Sequence, residues 1–359
     1  MSAFIEVFQD AIIQIATPYS TGTGFYLKAH DIIVTNEHIV RDNREVVIKN
    51  RQFGQQLSRV LFTDEILDLA FLEAPGASAL PEIPLRTAGL PDAGDTIYSI
   101  GHPYGYSFLA VEGQLVATDF QYEGIQYLLY QSEDEPGNNG GPLVDQSGAI
   151  IGVNTLDINE MGTSVPVSYL LEALEACSQT EGLVKARCQN CRQMVSEKSI
   201  KLEKFCPHCK SPVFLSIYSS PYEPGPVALT IEALLRDIGQ DVRLSRRGPN
   251  NWEITQGSAR IDITYHTNTG LIMGDAYLCQ LPEENTLPIY EFLLKQNYGM
   301  EGLTFSIKDQ DIVISLLIFD RYFNLDTASV QFQHLFEQAD YFDNVLVEEF
   351  GAKWKRKIA

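Results

Sequence analysis

Residues 188–209 read CQNCRQMVSEKSIKLEKFCPHC. Two C-x2-C pairs, Cys188/Cys191 and Cys206/Cys209, stand fourteen residues apart. Two tight knuckles that face each other supply four thiolates, the donor set that tetrahedral Zn2+ takes. Four protein ligands close the coordination sphere, so an ion held this way is structural and offers no open position for catalysis. His208 lies inside the second knuckle and competes for a ligand place, but four cysteines are the simpler set. Residues 183–213 bury too little apolar surface to fold alone, so the metal supplies the folding energy of this segment.

The spacing resembles a zinc ribbon, and it divides the 359-residue chain into three textures. Residues 1–178 hold short apolar runs broken by Gly, Pro, Asn and Asp: GTGFYL, DIIVTN, EVVIKN, DLAFLEA, DTIYSIG, QYLLYQ, AIIGVNT. Short strands at close spacing with turn residues between them predict an all-β barrel or sandwich. SYLLEALEAC closes the region with Leu170, Leu171, Leu174 and Cys177 at helical spacing, a final helix packed on the β-structure. SSPYEPGP (219–226) reads as a linker.

Within 1–178 lie most of the parts that nucleophilic hydrolysis needs. His38 follows an apolar strand in IIVTNEHIV, Asp68 enters the next buried strand in ILDLAFLEA, and GNNGGPLVD (137–145) comes late. A histidine base, a carboxylate to orient it and a Gly-rich turn offering backbone N–H groups are the parts of an acyl-transfer site. Their order and surroundings resemble the HtrA/Deg-type trypsin-like serine proteases. The matching stretches are GTGFYL, VTNEHIV, DLAFLEA, GDTIYSIGHPYG, GNNGGPLVDQSGAIIGVNT and SVPVSYLLEAL, across about residues 8–177. The resemblance implies two six-stranded β-barrels with a cleft between them. It makes His38 the general base and Asp68 its orienter, gives Gly137 and residue 139 the oxyanion N–H groups, and puts Glu133 and Gly152 at the substrate pocket.

The chain departs from that family at the nucleophile, where Asn139 stands in place of Ser. The carboxamide nitrogen shares its lone pair with the carbonyl, and its proton is not acidic enough for a histidine of pKa about 6.5 to remove. Losing a triad member costs on the order of 10⁴–10⁶ in turnover. Three readings follow: a protease fold kept for binding peptides, a hydrolase with another nucleophile, of which Ser132 is the nearest hydroxyl, or a serine endopeptidase whose Ser has been exchanged for Asn. A cleft of this kind binds an extended segment as an added β-strand, which survives loss of the nucleophile. The acids in SEDEPGNN suggest a preference for basic side chains, with exposed loop acids as the plain alternative.

Beyond the linker the pattern is mixed. VALTIEALLRDIG carries a helical stripe ending at Gly239; DVRLSRR, NWEITQ, ARIDITYHT and LIMGDAYLCQ alternate like strands; 286–298 reads as a helix; GLTFSIK and DIVISLLIFD form a hairpin; 326–349 reads as an amphipathic helix. The order α-β-β-β(β)-α-β-β-α over 226–351 resembles the type III secretion chaperones and YbjN-like proteins. That implies a small α+β domain that pairs with a copy of itself and binds extended segments of other proteins. Cys279 and His266 stand alone and read as structural.

The formal net charge of −21 disfavours general nucleic-acid binding. Residues 182–213 invert that sign, with seven Lys/Arg against two Asp/Glu, so a nucleic-acid-binding regulator acting through the ribbon is a further reading. Phe205 is the one aromatic between the knuckles, too few for base stacking. No run is long and apolar enough for a membrane-spanning helix. The N-terminal stretch has no basic leader and carries Glu6 and Asp10, so a cytoplasmic location is expected, which also suits free thiols.

Overall fold

The computed structural model describes residues 3–76, 80–102, 108–132, 138–158 and 160–354. The chain forms two compact units, residues 1–221 and 222–358.

The first unit opens with helix α1 (Ala3–Ala11), which places Phe8 and Ala11 in the core. Six strands follow: β1 (Ile12–Ala16), β2 (Thr21–Leu27), β3 (Ile32–Thr35), β4 (Glu45–Asn50), β5 (Gly54–Asp64) and β6 (Leu69–Glu73), with helix α2 (Glu37–Val40) after β3. They pair in the order β5-β4-β1-β2-β3-β6, and β5 also pairs with β6, which closes a barrel. Ile13, Ile15, Tyr26, Ile33, Ile48 and Leu72 fill it.

A second closed barrel joins β7 (Thr96–Gly101), β8 (Leu109–Tyr122), β9 (Ile125–Ser132), β10 (Pro142–Asp145), β11 (Ile150–Asn154) and β12 (Gly162–Pro166). Ile97, Leu115, Leu128, Leu143 and Ile151 pack inside it. The expected double six-stranded barrel is therefore present. A continuous core of Phe25, Phe62 and Phe71 from one barrel and Val144, Ile150 and Val165 from the other joins the two. Helix α3 (Val167–Gln179) covers this core with Leu170, Ala173 and Leu174, as the spacing of SYLLEALEAC predicts.

The cysteine segment is not a separate bead on the chain. Its hairpin, β13 (Lys185–Arg187) and β14 (Met194–Ser196), extends the first barrel's sheet, with β13 running parallel to β5. Of the three parts read from the sequence, the ribbon-like segment belongs to the same compact unit as the barrels. The reason is that β5 is eleven residues long and its end projects past β4, leaving an edge that β13 pairs.

The second unit has the order α4 (Pro226–Asp237), α5 (Val242–Ser245), β15 (Asn251–Gln256), β16 (Ala259–His266), β17 (Leu271–Gln280), α6 (Leu287–Gly299), β18 (Leu303–Lys308), β19 (Asp311–Phe319), α7 (Leu325–Phe350) and β20 (Lys353–Trp354). The sheet runs β15-β16-β17-β19-β18, antiparallel throughout, with β20 on the end of β17. DVRLSRR, expected as a strand, is instead the helical turn α5. Asp241 caps it by accepting from the Arg243 N–H at 2.9 Å, and the alternating apolar residues that suggested a strand are too few to outweigh a local cap. Helix α7 begins in a capping box between Asn324 and Thr327. It lies close on the sheet at Gly274, where a Cβ would sit 2.9 Å from the Phe332 ring. Cys279 is buried at the end of β17, as a structural cysteine would be.

Candidate functional site

Strand pairing builds the first half of the site. β3 and β6 run antiparallel with Thr35 opposite Ala70. The residues just past the end of β3 therefore meet those just ahead of β6. His38, on α2, and Asp68, before Leu69, are those residues. His38 Nδ1 lies 2.8 Å from Asp68 Oδ2, and the His38 backbone N–H donates to Asp68 Oδ1 at 2.9 Å. The Asn36 carboxamide donates to the Asp68 carbonyl at 2.9 Å. Asp68 itself has φ +51°, a left-handed conformation that a non-glycine residue holds only when its surroundings fix it.

Thr155, just past β11, completes the acid from the second barrel. Its hydroxyl donates to Asp68 Oδ2 at 2.5 Å. Asp68 thus accepts from two residues of the first barrel, Asn36 and His38, and from Thr155 of the second. Its bond to Nδ1 fixes the ring so that Nε2 is the nitrogen left for proton transfer.

The Gly-rich turn is held between the barrels. The Asn139 carbonyl accepts from the Thr23 N–H at 2.9 Å, the Gly140 N–H donates to the Asn154 carbonyl at 2.9 Å, and the Asn154 N–H donates to the Gly141 carbonyl at 2.8 Å. Gly140 has φ +81°, and a Cβ there would lie 2.1 Å from the Thr23 carbonyl oxygen. Only glycine fits. The same Cβ would come within 3.0 Å of Ile39, so the turn carrying Asn139 abuts the residue next to His38. Asn138 is buried and donates to Ser99 Oγ at 3.0 Å, which anchors the turn to β7.

Asn139 is half-buried, and its side chain makes no hydrogen bond to another described residue. Ser132 lies on β9 opposite Gly113, with no hydrogen bond to His38. Gly137 and Glu133 lie outside the described residues. Gly152 is buried within β11, opposite Leu143 and Pro166; a Cβ there would meet the Val165 carbonyl at 2.8 Å, so its bare backbone serves strand packing.

The arrangement orients a general base, but Asn139, on the adjoining turn, carries a carboxamide in place of an ionisable hydroxyl. A carboxamide accepts and donates hydrogen bonds and does not become an acyl carrier.

A second cluster lies in the ribbon-like segment. The ligand atoms of Cys188, Cys191, Cys206 and Cys209 all lie within 4.8 Å of one another. Cys188 Sγ is 3.6 Å from Cys209 Sγ, and Cys191 Sγ is 3.7 Å from Cys206 Sγ. Tetrahedral ligands at a Zn–S distance of about 2.3 Å stand about 3.8 Å apart, so the donor set and its spacing fit such an ion. The two knuckles repeat one geometry. The Cys188 N–H donates to the Gln193 carbonyl and the Cys206 N–H to the Ser211 carbonyl, each at 2.9 Å. Arg192 and Lys210, which follow the second cysteine of each knuckle, have φ of +59° and +66°. The other two cysteines differ in kind: burial pushes the thiols of Cys177 and Cys279 up to about 12, where they stay protonated.

Comparison with known proteins bears on the fold of the first unit. Residues 22–153 match the family described as trypsin-like peptidase domain. The serine endoprotease DegS of Salmonella typhimurium is 31% identical over 144 residues, 39% of this chain and 40% of that protein. The mitochondrial serine protease HTRA2 of Bos taurus is 30% identical over 165 residues, 44% of this chain and 36% of that protein. A DegP-like periplasmic serine endoprotease of Pseudomonas fluorescens is 28% identical over 155 residues, 42% of this chain and 32% of that protein. The chain thus spans well under half the length of these relatives. With two barrels, an aspartate-bound histidine and a glycine turn pinned between them, the first unit is similar over residues 22–153 to trypsin-like peptidase domains, among them those of HtrA-type serine proteases.

Proposed function

We propose that the first unit binds an extended peptide or protein segment without cleaving it, so that the chain acts as an adaptor. One observation carries this reading: His38 and Asp68 keep a working geometry, while Asn139 stands where the reaction needs an ionisable hydroxyl. Main-chain pairing along a cleft edge needs no nucleophile. The second reading, a serine-type endopeptidase in a form bearing Ser at 139, is favoured by the Thr155 hydrogen bond to Asp68, which helps hold the acid against His38. A nucleic-acid role for the basic segment has no such support.

The four cysteines hold structural Zn2+ in this reading and take part in no reaction. A reducing compartment such as the cytoplasm suits those thiols. The second unit contributes a chaperone-like surface. Leu287, Tyr290, Leu294 and Tyr298 form an exposed stripe on α6, and a second copy pairing there would be split into monomers by Leu294→Glu, read by sedimentation.

A library of unfolded peptides incubated with the chain tests the main reading. Bound peptides recovered intact by mass spectrometry are the expected result. Cleaved peptides, or no bound peptide, would contradict it.

A further inference from the structure

The turn that delivers Asp68 to His38 runs from the end of β5, and the first cysteine knuckle runs from the end of β13. These two strands lie side by side, Lys185 against Phe62 and Ala186 against Thr63. The next residues therefore face each other: Asp64 opens the turn and Arg187 immediately precedes Cys188.

Asp64 has no exposed side-chain surface. Its Oδ2 accepts from Arg187 Nε. Its Oδ1 accepts from the Ile66 and Leu67 N–H groups at 3.1 and 3.2 Å. One carboxylate thus takes the ribbon's arginine and shapes the turn that ends at Asp68. Gln189, between the two cysteines of the knuckle, donates to Glu65 in the same turn. Further along, the Ser216 hydroxyl donates to the Val60 carbonyl at 2.8 Å, so the segment returns to β5 after the second knuckle.

Burial pushes the Asp64 carboxyl up, against the opposing pull of Arg187. A buried pair of this kind gives little net stability, but losing one partner leaves an uncompensated charge, so Asp64 and Arg187 hold each other in place. The geometry at stake is Asp68, whose left-handed backbone needs its neighbours to hold it.

We propose that the four-cysteine module is a brace for the acid–histidine pair: metal held by Cys188, Cys191, Cys206 and Cys209 fixes Arg187 and Gln189, these fix the turn 64–68, and loss of the metal releases Asp68 from His38. Arg187 and Asp64 are positioning residues; neither touches a substrate. The metal state of the ribbon then sets whether the cleft is in its ordered form, whatever segment the cleft binds.

The test uses the full chain, with zinc content measured before and after a chelator. Hydrogen exchange is followed at the His38, Ile66 and Leu67 amides, with the second-barrel strands β10 and β11 as internal reference, and the His38 Nδ1 proton is followed by NMR. Chelation is expected to speed exchange at the three amides at least tenfold and to abolish the Nδ1 proton signal, with both restored by Zn2+. Metal removal could unfold more than the turn, so Arg187→Gln provides a second arm. This variant should keep its zinc and its second-barrel protection yet show the same local loosening. Zinc uptake with unchanged exchange at these amides, or a zinc-loaded Arg187→Gln chain that behaves as the parent, overturns the brace alone. A chain that takes up no zinc overturns both the brace and the structural-metal reading.

Discussion

Thr155→Val isolates the link between the barrels. The substitution keeps the shape of the side chain and deletes the hydroxyl that donates to Asp68 Oδ2 at 2.5 Å. A hydrogen bond to a charged group contributes about 1.5–3 kcal/mol. The Asp68 side chain keeps 18% of its surface exposed, so water replaces part of what is lost. His38 still donates through its backbone N–H and its ring. The expected cost is therefore at the lower end, roughly 1.5–2 kcal/mol. The assay must read the first unit. Both tryptophans, Trp252 and Trp354, lie in the second unit, so intrinsic tryptophan fluorescence is silent to this change. Urea dependence of hydrogen exchange in β1–β6 peptides measures it instead. Thr155→Ser should retain nearly all of the stability. A loss below about 0.5 kcal/mol in Thr155→Val, within the range of an ordinary surface change, would refute the assigned bond. So would an equal loss in Thr155→Ser.

Arg86→Ala removes the guanidinium that bonds Asp145 Oδ2 at 2.5 Å. Breaking a fully buried pair costs about 3–5 kcal/mol; Arg86 keeps 33% exposure, so roughly 2–3 kcal/mol is expected at neutral pH. Burial of Asp145 raises its pKa, but hydrogen bonds from Ser147, Arg86 and Ala149 outweigh it and hold the carboxyl below 3.8. Its stabilisation is therefore present above 3.8 and is lost as pH falls through the lower folded value, so the gap between parent and variant should close in that acid range, as followed by second-barrel hydrogen exchange. Gly140→Ala forces a Cβ to 2.1 Å from the Thr23 carbonyl at φ +81°. It should cost at least about 2–3 kcal/mol from strain and overpacking together and weaken peptide binding, read by calorimetry.

The strands and helices were legible where a periodic pattern stays within one element. Alternation in NWEITQ and ARIDITYHT and the stripe in SYLLEALEAC each report a face that the structure buries. The knuckles were legible because metal chemistry demands a spacing. His38 and Asp68 were legible through the resemblance of VTNEHIV and DLAFLEA to a known family, and the structure brings the two side chains within 2.8 Å. Thr155 was not. A threonine after a strand is common, and its partner lies 87 residues away on another barrel. The pairing of β13 with β5 had no signal either, since parallel partners more than 120 residues apart share no local period. Asp68 and Arg192 adopt positive φ without the glycine that marks such positions. In α5 a local cap at Asp241 decided between strand and helix, and the alternation of DVRLSRR gave no hint of it.

The central claim is that the first unit keeps a complete acid–base frame that Asn139 alone silences. Fluorophosphonate labelling of this chain beside Asn139→Ser tests it most directly. The account predicts that only Asn139→Ser is labelled, and that adding His38→Ala to it abolishes labelling. Labelling of the Asn139 form, or a folded Asn139→Ser chain that fails to react, would contradict it.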